Sequence, residues 1–250
     1  MTTVLALDAT SRACSAAVWH CVGDDLAAAQ LFKRYEIAPR AHTQKLMPMV
    51  RDVLAEAGLT LTDVDVVAYG RGPGAFTGIR IAAGMTQGLA LGCDLPVVAV
   101  SSLEALALGA ALQYDGQVAG ARVAALGALD ARMGEVYIGG YYVDLTQPMR
   151  PELTAFMAEQ VCAPDAIQWA GELPTQITAA GAGLAFSEQY PSELKNIITA
   201  ADSDAEPDAA CIARLAAGIY LAGGAVAPEL AQPVYLRDNV ATRSTRKPLD

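Results

Sequence analysis

Histidine is almost missing from this chain: there are two in 250 residues, His20 and His42. Neither has a second histidine three or four positions on, and Leu46 stands where a helical partner of His42 would be. Histidine-based metal sites on a helix need paired imidazoles on one face, so no metal is expected. A lone histidine at a helix start reads as a polar end residue. Serines are plentiful, but with so few histidines and no Gly-x-Ser-x-Gly elbow a Ser–His–Asp triad has no support. Glu104 and Asp130 are single carboxylates without an evident mate. No catalytic residue is assigned.

Basic residues are also scarce, 17 Lys and Arg against 27 Asp and Glu, for a net charge of −10. A protein that grips nucleic acid by itself shows a basic face to the phosphates, so direct, strong nucleic-acid binding is not expected. The one basic cluster, Arg237, Arg243, Arg246 and Lys247, reads as a solvated, frayed tail. The five cysteines (Cys14, Cys21, Cys93, Cys162, Cys211) are odd in number, scattered and never spaced C-x-x-C. That is neither a disulfide framework nor a zinc site, and it fits a reducing compartment. The most apolar stretch, Ile81 to Val100, is broken by Gln87, Asp94 and Pro96, so no membrane span is expected. Met1 leads directly into a strand-like run, so neither is a signal peptide. The expected location is the cytoplasm.

What is present is a large apolar fraction, 53%, enough for a sizeable core. Val4 to Trp19 holds two apolar runs around a short polar turn, a β-hairpin, and a third strand is expected around Leu26 to Phe32. From His42 to Ala57 the period changes. Leu46, Met49, Val50, Val53, Leu54 and Ala57 define an amphipathic helix stopped by Gly58, with Pro48 as a place where it begins or bends. Val64 to Tyr69 suits a buried parallel strand. A helix from Thr77 to Leu91, a strand from Pro96 to Val100 and a helix from Ser101 or Ser102 to Leu112 follow. Then the opening recurs: Leu126 to Tyr141 is again an apolar run ending in Leu-Asp-Ala, a polar turn and a second apolar run. Asp8 and Asp130 hold equivalent places, as in a duplicated domain. Ala170 to Gly183 reads as a Gly/Ala-rich loop. Asp208 caps a helix to Ala222.

The expected fold is α/β, with two ribonuclease H-like halves of mixed sheet flanked by helices: the actin-like ATPase plan. Residues 1–112 form the first half and 113–241 a second, degenerate half. Helix 208–222 is expected to pack back on the first, and 242–250 to be a tail.

Actin-like folds usually hold ATP between their halves, so phosphate binding is the first chemistry to test. No glycine follows Asp8 in the first turn (Ala9, Thr10, Ser11, Arg12), where backbone N–H groups would have to reach phosphate. Asp8 reads instead as a cap of its own turn. The loop Gly70 to Thr77 lacks Walker spacing and its lysine, and Pro73 removes a donor from any dinucleotide fingerprint. It reads first as a tight strand-to-helix turn, with some merit as an anion site. The helix after it is apolar nearly all round, interrupted only by Arg80, Thr86 and Gln87. It is either sandwiched within one domain or packed by its small-residue side against another subunit.

With these residues in view, the sequence resembles the TsaB (YeaZ) family of tRNA threonylcarbamoyladenosine biosynthesis. The resemblance rests on Leu7 to Thr10, His42 to Met49, the block Gly72, Pro73, Gly74, Phe76, Thr77, Gly78 and Arg80, Leu129 to Arg132, and Pro233 to Ala241. It implies a non-catalytic subunit that binds and stabilises TsaD, the catalytic relative that modifies position 37 of ANN-decoding tRNAs. TsaD carries a His-x-x-x-His metal pair where this chain has Ser102 and Leu106. Asp8, Thr10 and Asp130 would then line a vestigial cleft. The family pairs through its first two helices, which implies an interface of His42, Leu46, Met49, Val50, Val53, Ile79, Ala83, Gly84 and Gly88. The resemblance further implies a competing homodimer, the ATPase TsaE in the larger complex and tRNA contact only through the complex. No cofactor is expected on this chain alone, with ATP or ADP reserved for a partner interface. The alternatives are a free-standing actin-like ATPase or kinase and a metallopeptidase-like relative.

Overall fold

Strand β1 (Thr2–Asp8) turns back into β2 (Ala13–Cys21) along a full antiparallel register from Thr2↔Cys21 to Asp8↔Ser15. Strand β3 (Gln30–Ile37) pairs on the outer side of β2. It begins later than its sequence suggests, because Asp25 accepts from the Ala27 N–H and winds Leu26–Ala28 into a 3₁₀ turn. The structure is a computed structural model and describes residues 1–23, 25–114 and 122–237. The proposed tail 242–250 lies outside the described residues.

Helix α1 (His42–Ala57) matches its hydrophobic period and runs through Pro48 without ending. It stops at Gly58, whose φ of 68° closes the last turn in a conformation that glycine adopts without strain. Strand β4 (Val66–Gly72) lies parallel to β1, followed by α2 (Phe76–Cys93), β5 (Val97–Ser101) and α3 (Ser102–Tyr114). The first sheet is ordered β3-β2-β1-β4-β5.

The second half repeats that order. Strands β6 (Arg122–Arg132), β7 (Glu135–Asp144) and β8 (Glu152–Cys162) form the antiparallel meander. Strands β9 (Ile177–Ala180) and β10 (Ile198–Asp202) add in parallel, giving β8-β7-β6-β9-β10. Strand β9 falls inside the stretch that reads as a Gly/Ala-rich loop. Its four residues are all buried, so it shows no alternation to betray it. The helices between these strands are reduced to 3₁₀ turns and the single turn α4 (Ser192–Lys195). Helix α5 (Ala209–Leu221) is capped by Asp208, which accepts the Ala210 N–H at 2.8 Å.

The layers follow from which face each strand buries. Leu5, Leu7, Val18, Val67 and Tyr69 meet α1 and α2 on one face of the first sheet. Val4, Ala6, Trp19, Val98 and Val100 meet α3 and α5 on the other, in a core that continues to Leu129, Tyr141 and Val143 of the second sheet. Helix α3 is thus sandwiched between the sheets, packing on β6, β7 and β9 as well as β4 and β5, while α5 packs across β1, β2, β4 and β5 and against α3. Polar ties reinforce the sandwich. The Trp19 indole N–H donates to the Met149 carbonyl at 2.8 Å and the Ala209 N–H to Ser15 Oγ at 2.9 Å.

Candidate functional site

An open cleft of about 1190 Å³ runs between the halves. Its walls are the β1–β2 turn (Thr10 to Arg12), the β4–α2 turn (Pro73 to Ile79), the β6–β7 turn (Leu129 to Met133) and the C-terminal segment Val234 to Arg237.

The glycines of the β4–α2 turn have a steric purpose. A Cβ on Gly70 would fall on the Asp8 carboxylate and against Thr10, and one on Gly74 or Gly78 would strike the Thr10 or Ala9 carbonyl. The Ala75 N–H donates to the Thr10 carbonyl at 2.7 Å. The turn therefore presses its backbone onto the neighbouring β1–β2 turn, and the place where an anion would approach is filled by carbonyl oxygens. The tight-turn reading accounts for Gly70, Gly74 and Gly78 better than a phosphate cradle does, and Gly72 holds a φ of 97° that favours glycine.

Asp8 is fully buried and accepts from the Thr10 N–H at 3.1 Å and Thr10 Oγ1 at 3.0 Å; Ser102 Oγ donates to Thr10 Oγ1 at 3.0 Å. Burial pushes its carboxyl up from 3.8 to about 7, opposed by the Thr10 hydrogen bonds and helped by Asp208 and Glu206. Thr10 reaches the cleft wall, whereas Asp8 lies beneath it. Asp130 mirrors Asp8 in register only. It caps its own turn by accepting the Arg132 N–H at 2.7 Å, pairs with that guanidinium at 3.1 Å and stays partly exposed. Ser102 and Leu106 are both buried, the first under Thr10 and the second in the central core. Among the described residues no cluster of three or more His, Cys, Asp or Glu is placed to hold a metal ion. No helix there is long and apolar enough to cross a membrane.

Most of the expected interface residues are turned inward in this chain. His42, Leu46, Met49, Val50 and Val53 of α1, and Ile79 and Ala83 of α2, are buried in the chain's own core. His42 Nε2 lies 3.0 Å from the Ser11 carbonyl and 3.2 Å from that of Ala13. An amphipathic stripe reads the same whether it meets its own sheet or a partner, and here it meets the sheet. Gly84 and Gly88 are exposed, and a Cβ on either would touch nothing within 4 Å. With Thr77, Arg80 and Leu91 they make the outward stripe of α2.

Two further sets of residues gave no local signal. Arg71 pairs with Glu159 at 3.3 Å, and Glu159 accepts from Tyr141 Oη at 2.9 Å. Glu104, which looked solitary, is raised by burial, with Glu159 close enough to add to the effect. Arg237, assigned to a frayed tail, is instead largely covered and paired with Glu135. Arg243, Arg246 and Lys247 lie outside the described residues.

Two mixed sheets in one repeated strand order, joined back to back through helices with a cleft between them, define the actin-like class of α/β protein. Residues 34–245 match the family model described as TsaD, tRNA N6-adenosine threonylcarbamoyltransferase. The chain is 39% identical over 245 residues to the tRNA threonylcarbamoyladenosine biosynthesis protein TsaB of Escherichia coli, covering 95% of this chain and 96% of that one. It is 36% identical to the protein of the same name from Haemophilus influenzae, over 95% and 94% of the two chains. The solved structure of YeaZ from Pseudomonas aeruginosa superposes with a TM-score of 0.80 at 38% identity, covering 94% of this chain and 100% of that one. The chain belongs to the TsaB (YeaZ) family.

Proposed function

We propose that this chain acts in tRNA threonylcarbamoyladenosine biosynthesis as the non-catalytic partner that binds and stabilises a TsaD-type threonylcarbamoyltransferase. What carries this reading is end-to-end likeness to TsaB proteins; the resemblance further implies that Ser102 and Leu106 stand where a TsaD-type subunit has its metal-binding histidine pair. A hydroxyl and an isobutyl group cannot supply imidazole–metal bonds. The free-standing ATPase alternative is weakened because Asp8 is sealed beneath the cleft wall and Asp130 is engaged with its own turn.

The docking surface is the outward stripe of α2, where Gly84 and Gly88 leave the helix backbone open to a close-packed partner helix, supported by the partly exposed Met47 and Met85. The first half, 1–112, carries this surface. A second copy of the chain competes for it, TsaE joins the larger complex with any ATP or ADP held at a partner interface, and tRNA is reached only through the complex. The acidity of the chain supports that last point, and its unpaired cysteines fit the reducing compartment of a cytoplasmic site of action. Size-exclusion chromatography of the chain with a TsaD-type subunit tests the reading: a stable heteromer is expected, and two independent peaks at micromolar concentration would end it.

A further inference from the structure

The last described residues form a strap with no regular secondary structure. Its origin is fixed, since Ala231 is buried and accepts from the Gln87 side chain at 3.0 Å. It then runs back along α2, and the Val234 N–H donates to the Arg71 carbonyl at 2.8 Å. Tyr69 Oη also donates to the Gln232 carbonyl at 3.0 Å, and only beyond Val234 is the hold looser. Tyr235 remains 46% exposed, with its ring 5.9 Å from Phe76 and its hydroxyl 2.9 Å from Arg80 Nε, while the Arg80 guanidinium stacks 3.7 Å over the Phe76 ring.

The far end crosses from the first half to the second. Arg237 pairs with Glu135 at the start of β7, and the same guanidinium donates to the Ala131 carbonyl at 3.1 Å. It also lies 3.1 Å from Met133 Sδ. A planar, permanently charged group inserted into a turn whose carbonyls point at it is a directional clasp. A segment tied at Ala231, Gln232 and Val234, with a half-exposed aromatic and one charged clasp beyond them, can release its far end at small cost. We propose that Ala231 to Arg237 is a releasable latch that holds the two cleft walls together, closed by Arg237 on the β6–β7 turn. Its release would free the β6–β7 turn from α2, so the opening of the cleft is set by the chain's own C-terminal segment.

Hydrogen exchange on the full-length chain tests this. Arg237→Ala should speed exchange roughly 10- to 100-fold, the factor for losing a charge-assisted contact. The change should appear in two separated segments, 131–135 and 76–80, with the centres of β1 and β6 unchanged. Glu135→Gln should give the same pattern more weakly, and it serves as the reporter if Arg237→Ala does not fold. The reversed pair Arg237→Glu/Glu135→Arg should recover the part of the protection that comes from the ion pair, but not the part from the Ala131 carbonyl, relative to each single reversal. Acceleration confined to 231–237, or spread evenly over the whole chain, would overturn the latch.

Discussion

Replacing Gly84 and Gly88 together by alanine should push fold and docking in opposite directions. Both sit inside the 18-residue α2, and an added Cβ meets nothing within 4 Å at either position. Glycine in a helix interior costs about 0.5–1 kcal/mol relative to alanine, so the pair should stabilise the isolated chain by about 1–2 kcal/mol. At about 2–4 °C per kcal/mol for a chain of this size, the melting temperature should rise measurably. If a partner helix packs against the bare backbone, the same methyl groups overfill the contact, at about 1–3 kcal/mol. That is on the order of 5- to 150-fold in affinity. Differential scanning fluorimetry reads the first effect, and titration calorimetry against a TsaD-type subunit reads the second. A higher melting temperature with unchanged affinity, repeated with leucine at both sites, would remove α2 from the interface. The same variants should weaken self-association of the chain.

Gly78→Ala is the contrasting case, because its Cβ would collide with the Ala9 carbonyl. It should destabilise the isolated chain by about 1–3 kcal/mol in urea denaturation, and a neutral result would mean that the β4–α2 turn is looser than described. Asp8 gives the pH dependence. Its carboxyl is raised to about 7 when folded and returns to about 3.8 when unfolded. Between those values folding takes up a proton, so this contribution to stability is greatest below about pH 4 and is lost as pH rises to about 7. Asp8→Asn, which can still accept the Thr10 N–H through its amide oxygen, should therefore gain on the wild type as pH rises from 5 to 8. A constant difference in denaturation midpoint across that range would show that Asp8 does not titrate there.

Much of the fold was legible because local and global signals agree. The period of Leu46, Met49, Val50 and Val53 with Gly58 behind it marks α1, and the recurring Leu-Asp-Ala hairpin marks the duplication. Strand β9 was hidden because a fully buried run of small residues has no alternation, and β3 was displaced by a 3₁₀ turn that one aspartate side chain sets. The proposed docking residues were half legible. Periodicity found the apolar stripe of α1 but could not tell its own sheet from a partner, whereas Gly84 and Gly88 stood out by lacking side chains. Arg237 stood in the Pro233 to Ala241 motif, but nothing local pointed to its partner, since Glu135 lies 102 residues away.

The central claim is that this chain makes a catalytic relative competent without doing chemistry itself. Reconstitution of threonylcarbamoyladenosine on an ANN-decoding tRNA, with threonylcarbamoyl-adenylate as donor, ATP, a TsaD-type subunit and TsaE in the presence and absence of this chain, tests it most directly. Modified nucleoside is expected only when this chain and the TsaD-type subunit are both present. Equal modification without this chain, or modification by this chain without the TsaD-type subunit, would contradict it.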